Sequence, residues 1–87
     1  MIKSVAILGS TGSIGKSLLN IIARDKKNFK ILLLTANKNY RLLLSQAKKF
    51  KVRNLVITDK KSFQILKKKL KKNKSIKLFN NYNSFNK

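Results

Sequence analysis

Two hydrophobic periods alternate along this chain. Residues 3–8 carry a nearly continuous apolar run, Val5-Ala6-Ile7-Leu8, as a parallel strand covered on both faces would. Over 13–24, Ile14, Leu18, Ile21 and Ile22 recur at helical spacing while Lys16, Ser17, Asn20 and Arg24 fall on the other side. That pattern predicts an amphipathic helix burying the first set. A polar break, Asp25-Lys26-Lys27-Asn28, leads through Phe29 into a second strand-like run, Ile31-Leu32-Leu33-Leu34. Ala36-Asn37-Lys38-Asn39 reads as a loop. Asn39 is placed to cap a helix over 40–50 that buries Leu43, Leu44, Ala47 and Phe50.

Leu55-Val56-Ile57 is a third strand, rich in the β-branched residues strands favour. Thr58 and Asp59 offer capping oxygens to a helix near 60–72, with Phe63, Leu66 and Leu70 as its apolar stripe and lysines over the remainder. Ile76-Lys77-Leu78-Phe79 suits a short fourth strand, and 80–87 is a polar, Asn-rich tail without period. The layout is βαβαβαβ. With right-handed crossovers it predicts an α/β, Rossmann-like three-layer unit with a parallel sheet, formed by residues 1–79 and followed by the tail at 80–87.

The turn between the first strand and first helix, Gly9-Ser10-Thr11-Gly12-Ser13-Ile14-Gly15, holds all 3 glycines of the chain. A strand that stops at such a turn and re-enters as a helix leaves backbone N–H groups unpaired at the helix start. Together with the helix dipole they form an anion site, most often used for phosphate. The context is that of a dinucleotide fingerprint: strand before, helix after, second strand roughly 20 residues on. Gly9 would permit the turn off the strand, Gly12 the close approach of a pyrophosphate, and Gly15 the close packing of the helix. The hydroxyls of Ser10, Thr11 and Ser13 could donate to phosphate oxygens. The competing reading is a glycine turn that only closes a βα unit.

The end of the second strand bears on which nucleotide is held. NAD-selective sites place Asp or Glu there for the ribose 2′-hydroxyl. The stretch Ala36-Asn37-Lys38-Asn39 has no acid, and a lysine flanked by two amides suits a 2′-phosphate. NADPH is therefore favoured over NADH, against the simpler view of Lys38 as one more surface lysine.

Composition removes several chemistries. The 87 residues include no cysteine and no histidine, which excludes a disulfide framework, a thiolate metal site and an imidazole base. Asp25 and Asp59 are the only acids, too few for a carboxylate cluster around a metal. No catalytic and no metal-ligating residue is assigned. No apolar run approaches the roughly 20 residues that span a bilayer, and no signal-peptide layout is present, so no membrane partner and a cytoplasmic location are expected. The formal charge of +20 invites a small basic nucleic-acid-binding protein as the alternative. Only Arg24, Arg41 and Arg53 are arginine, however, and the lysines read as solvated faces of a Lys/Asn-biased chain. Specific nucleic-acid modules favour Arg forks and aromatic platforms, so no specific nucleic-acid partner is expected.

The heptad Gly9–Gly15 after a Val-Ala-Ile-Leu strand, with Ala36-Asn37-Lys38-Asn39 closing the second, resembles the N-terminus of 1-deoxy-D-xylulose 5-phosphate reductoisomerases. Phe29 and Asp59 also sit where comparable residues of that family would. The resemblance covers about 2–79 and is most specific in the heptad. It implies that Thr11, Gly12, Ser13 and Ile14 contact the NADPH phosphates and adjoining groups. It likewise implies that Asn37, Lys38 and Asn39 hold the adenosine ribose with its 2′-phosphate. The family isomerises 1-deoxy-D-xylulose 5-phosphate and reduces it with NADPH to 2-C-methyl-D-erythritol 4-phosphate, in non-mevalonate isoprenoid biosynthesis. It uses Mg²⁺ or Mn²⁺ and acts as a homodimer. In that family the metal-binding carboxylates, the substrate-phosphate pocket and the lid lie downstream of the stretch matched here. The expectation is thus a truncated, N-terminal NADPH-binding fragment, inactive by itself, of marginal stability and inclined to associate through uncovered apolar surface.

Overall fold

The computed structural model describes residues 2–82. Four strands, β1 (Lys3–Ile7), β2 (Phe29–Ala36), β3 (Asn54–Ile57) and β4 (Lys77–Phe79), alternate with helices α1 (Ser13–Ala23), α2 (Tyr40–Phe50) and α3 (Lys60–Lys69). A single 3-10 turn, Lys26–Asn28, leads into β2. The strands form one sheet in the order β1-β2-β3-β4, and every neighbouring pair is parallel. The α/β, Rossmann-like expectation holds. Of the tail expected at 80–87, residues 83–87 lie outside the described residues.

All three crossovers step the same way across the sheet, so crossovers of one hand put all three helices on one face. The core reflects this. Leu19 and Ile22 of α1, Leu43 and Ala47 of α2, Leu66 of α3 and Leu70 at its C-cap join Ile7, Ile31, Leu34, Ala36, Leu55 and Ile57 in one cluster. On β3, Leu55 and Ile57 alternate with Val56, and on β2, Leu34 and Ala36 alternate with Thr35, as side chains do along a strand. Two of the three layers, sheet and one helix layer, are thus built by the described residues. One register irregularity interrupts β2: Val5 pairs with Ile31 but Ala6 with Leu33, so Leu32 is the extra residue of a bulge.

Two expectations are corrected. β1 is not covered on both faces, since Ser4 and Ala6 are exposed and Leu8 just beyond it is 64% exposed. Of the expected stripe Ile14, Leu18, Ile21 and Ile22, only Ile22 is buried, together with Gly15 and Leu19; Ile14, Leu18 and Ile21 are 79%, 45% and 61% exposed. The two stripes lie one residue apart, and hydrophobicity alone does not choose between them. Glycine does. A Cβ on Gly15 would meet the Gly9 carbonyl oxygen and lie 2.6 Å from Ser10 Cα. The position that approaches the turn this closely must face inward, and that sets the rotation of the helix.

Candidate functional site

The glycine turn leaves the carboxyl end of β1, and the loop at 37–39 leaves the carboxyl end of β2, its parallel neighbour. Open α/β sheets bind ligands at that end of their strands. Gly9 adopts φ +67, where a Cβ is unfavourable, and its carbonyl accepts from the Gly12 N–H at 3.0 Å. Gly12 is the N-cap residue of α1, and no side chain caps that helix. By contrast, Asn39 Oδ1 accepts from the Leu42 N–H of α2 at 3.2 Å, and Asp59 caps α3 through Ser62. The first-turn N–H groups of α1 therefore face outward without a side-chain acceptor, beside exposed Gly12, Ser13 and Ile14 and half-buried Thr11. Such donors, augmented by the helix dipole, suit an anion.

Ser10 departs from the sequence reading. It is fully buried, and its hydroxyl donates to Gln46 Oε1 at 2.7 Å rather than pointing toward a bound phosphate. Its N–H donates to the Thr35 carbonyl at 2.8 Å, while the Gly9 N–H donates to Thr35 Oγ1 at 2.9 Å. The sequence pattern does not single out Thr35 or Gln46. A polar residue one position from an apolar stripe ordinarily reads as solvated, and only its partner across 36 positions reveals otherwise.

Asn37, Lys38 and Asn39 are all exposed. Asn37 is anchored from β3: its carbonyl accepts from the Asp59 N–H at 3.1 Å, and its Oδ1 from Thr58 Oγ1 at 2.8 Å. With the amide oxygen engaged, the NH₂ of Asn37 is the half left to donate to an anion. Asn39 spends its amide oxygen on the α2 cap and likewise retains its NH₂. The loop has no acid in sequence, but the fold brings Asp59 beside it. That carboxylate is committed to α3, accepting from the Ser62 N–H at 3.0 Å and the Ser62 hydroxyl at 2.8 Å.

Those bonds to the Ser62 backbone and hydroxyl hold Asp59 below its ordinary value of 3.8; burial opposes the shift, and nearby Lys38 and Lys61 assist it. Asp59 is thus a stronger acid folded than unfolded. Its charge stabilises the fold above the unfolded value, and this contribution is lost as pH falls through the lower folded one. In denaturant titrations, Asp59→Asn should be less stable than the parent at neutral pH, with the gap closing below about pH 4. A gap that stays constant into acid would show that the carboxylate charge plays no part in the cap.

A recess of about 750 Å³ opens at the opposite, amino-terminal end of the strands, between Phe29, Ile31 and Phe50 with lysines at its rim. It lies away from the glycine turn, and the candidate nucleotide site is instead an open ledge.

Comparison with known proteins shows the family. The sequence model of the family described as 1-deoxy-D-xylulose 5-phosphate reductoisomerase matches residues 5–87. The chain belongs to that family. It is 57% identical over 85 residues to the 1-deoxy-D-xylulose 5-phosphate reductoisomerase of Pelagibacter ubique (strain HTCC1062), an alignment covering 98% of this chain and 22% of that protein. Among solved structures, the reductoisomerase from Zymomonas mobilis in complex with NADPH superposes with a TM-score of 0.81 at 34% identity, covering 91% of this chain and 21% of that one. A reductoisomerase in complex with NADPH, fosmidomycin and magnesium gives 0.82 at 29% identity, covering 90% and 19%. The chain therefore spans about a fifth of the length of the reductoisomerases it matches.

Among the described residues, no three His, Cys, Asp or Glu stand together as metal ligands. Asp25 bonds the Asn28 side chain and Asp59 the Ser62 cap, so these residues do not fit a divalent-metal site. No helix among the described residues is long and apolar enough to cross a membrane.

Proposed function

We propose that residues 1–79 form the N-terminal NADPH-binding part of a reductoisomerase, with Thr11, Gly12, Ser13 and Ile14 at the pyrophosphate and Asn37, Lys38 and Asn39 at the 2′-phosphate of the adenosine ribose. The observation that carries this reading is the uncapped N-terminus of α1 at the carboxyl end of β1, next to a loop offering a lysine and two amide NH₂ groups. In the complete protein, NADPH supplies the hydride for reduction of isomerised 1-deoxy-D-xylulose 5-phosphate to 2-C-methyl-D-erythritol 4-phosphate. The residues on this chain bind and orient the cofactor: backbone donors of the turn take the diphosphate, and the β2 exit selects the phosphorylated ribose. The metal, the substrate and the homodimer belong to that complete protein, which we place in the cytoplasm.

Binding titrations of this chain with NADPH, NADH and duplex DNA at two salt concentrations test the proposal. NADPH should bind tighter than NADH by about tenfold or more, since a charge-assisted hydrogen bond to the 2′-phosphate is worth roughly 1.5–3 kcal/mol. DNA binding with a steep salt slope and no dinucleotide binding would favour the basic nucleic-acid-binding alternative instead.

A further inference from the structure

We infer that Gln46, two turns into α2, is a positioning residue that sets the geometry of the phosphate-binding turn and couples it to the 2′-phosphate loop. The inference rests on the NADPH reading above. Gln46 grips Ser10 twice: its Oε1 accepts from Ser10 Oγ at 2.7 Å, and its Nε2 donates to the Ser10 carbonyl at 2.9 Å. The amide orientation is the one the network requires, because the flipped form would set Oε1 against a carbonyl oxygen. Ser10 is fully buried and Gln46 is 7% exposed, so water cannot replace either bond without opening the packing. With Thr35 holding the Gly9 and Ser10 N–H groups, every polar group of Ser10 is engaged. The residue between the end of β1 and the candidate anion donors is fixed in place.

The other end of α2 enters the same site. Asn39 caps the helix, and Asn39 with Lys38 and Asn37 forms the exposed loop at the β2 exit. A helix rises about 1.5 Å per residue, so the cap and Gln46 are roughly 10 Å apart on one rigid element. α2 acts as a strut whose start presents the loop for the ribose phosphate and whose middle grips the turn for the diphosphate. NADPH must engage both at once, and the strut sets their separation before the cofactor arrives.

Gln46→Leu keeps the size of the side chain and removes both bonds. Adenosine 2′-monophosphate engages only the loop at 37–39, whereas NADPH engages loop and turn. Gln46→Leu should weaken NADPH about 10–100-fold and leave adenosine 2′-monophosphate within about 3-fold. Amide hydrogen exchange without ligand should quicken at Ser10 and Gly12 and stay unchanged in β3. Ser10→Ala, a smaller change, should reproduce the effect in milder form, and the double variant should be no worse than Gln46→Leu. Equal weakening of both ligands with loss of β3 protection would overturn the inference in favour of general destabilisation. Unchanged NADPH affinity and unchanged exchange at the turn would overturn it outright. If the parent chain binds neither ligand, the NADPH reading fails, and the exchange experiment still decides whether Gln46 holds the turn.

Discussion

Gly15→Ala is expected to lower the stability of this chain and to weaken NADPH binding by more than about 100-fold, although alanine is the better helix former. Propensity alone would favour the change by about 1 kcal/mol. The surroundings decide otherwise. The new methyl would lie against the Gly9 carbonyl oxygen, 2.6 Å from Ser10 Cα and 2.9 Å from the Ser10 carbonyl carbon, all backbone atoms. No flexible side-chain end is available to move aside. The turn cannot yield, because Thr35 and Gln46 hold Ser10 from two directions. α1 would have to lift, drawing Leu19 and Ile22 from the core and displacing its first-turn N–H groups from the anion position. Overpacking of this kind costs about 1–3 kcal/mol or more, a large part of the few kcal/mol that hold a small domain together. Gly12→Ala is the internal control for stability, since its Cβ would meet only the Gly9 oxygen at 3.4 Å. Thermal melts and NADPH titrations of both variants check this. A Gly15→Ala chain as stable as the parent would show that the close approach does not govern helix placement.

The same contact explains what could be read from the sequence and what could not. Strand–turn–helix order, the three glycines and the acid-free loop were legible because each is a local property with a local physical cause. So were the ends of α2, where Asn39 supplies the cap, and the start of α3, where Asp59 does. The rotation of α1 was not legible from hydrophobicity. Ile14, Leu18 and Ile21 match helical spacing as well as Gly15, Leu19 and Ile22 do, and only the approach to Ser10 separates the stripes. From sequence, Ser10 reads as a phosphate donor because hydroxyls in glycine turns so often are. Its true partner, Gln46, lies on another helix, and such pairings become visible only once α2 is laid against β2.

Asp59 gives a second example. The loop at 37–39 contains no acid, yet parallel pairing of β2 and β3 brings the β3 exit alongside, with Asp59 N–H on the Asn37 carbonyl and Lys38 within electrostatic reach. Capping engages this carboxylate with the Ser62 N–H and hydroxyl. The outer stripe of α1, with Ile14 79% exposed, and Leu8 at 64% leave apolar surface beside β1, which has a neighbour on one edge only among the described residues. Surface of that kind favours association.

Lys38→Glu should reverse the cofactor preference. A 2′-phosphate carries between one and two negative charges near neutral pH, and Lys38 is the cation on the loop proposed to receive it. Losing one charge-assisted hydrogen bond weakens binding by about 10–100-fold, and placing a carboxylate there adds repulsion, so NADPH affinity should fall by about 100–1000-fold. NADH has no such phosphate, and a carboxylate at the end of β2 can accept from its ribose hydroxyl, so NADH should hold or gain. Lys38→Met separates the two contributions: it removes the cation without adding an anion and should lose only the first part of the NADPH affinity. Since the substitution to Glu changes the formal charge of +20 by only two units, any general attraction for polyanions should survive almost intact. Equal weakening of NADPH and NADH would mean that residue 38 does not face the ribose. A fall confined to NADPH, with DNA binding unchanged, would separate a shaped phosphate site from the diffuse field of the lysines.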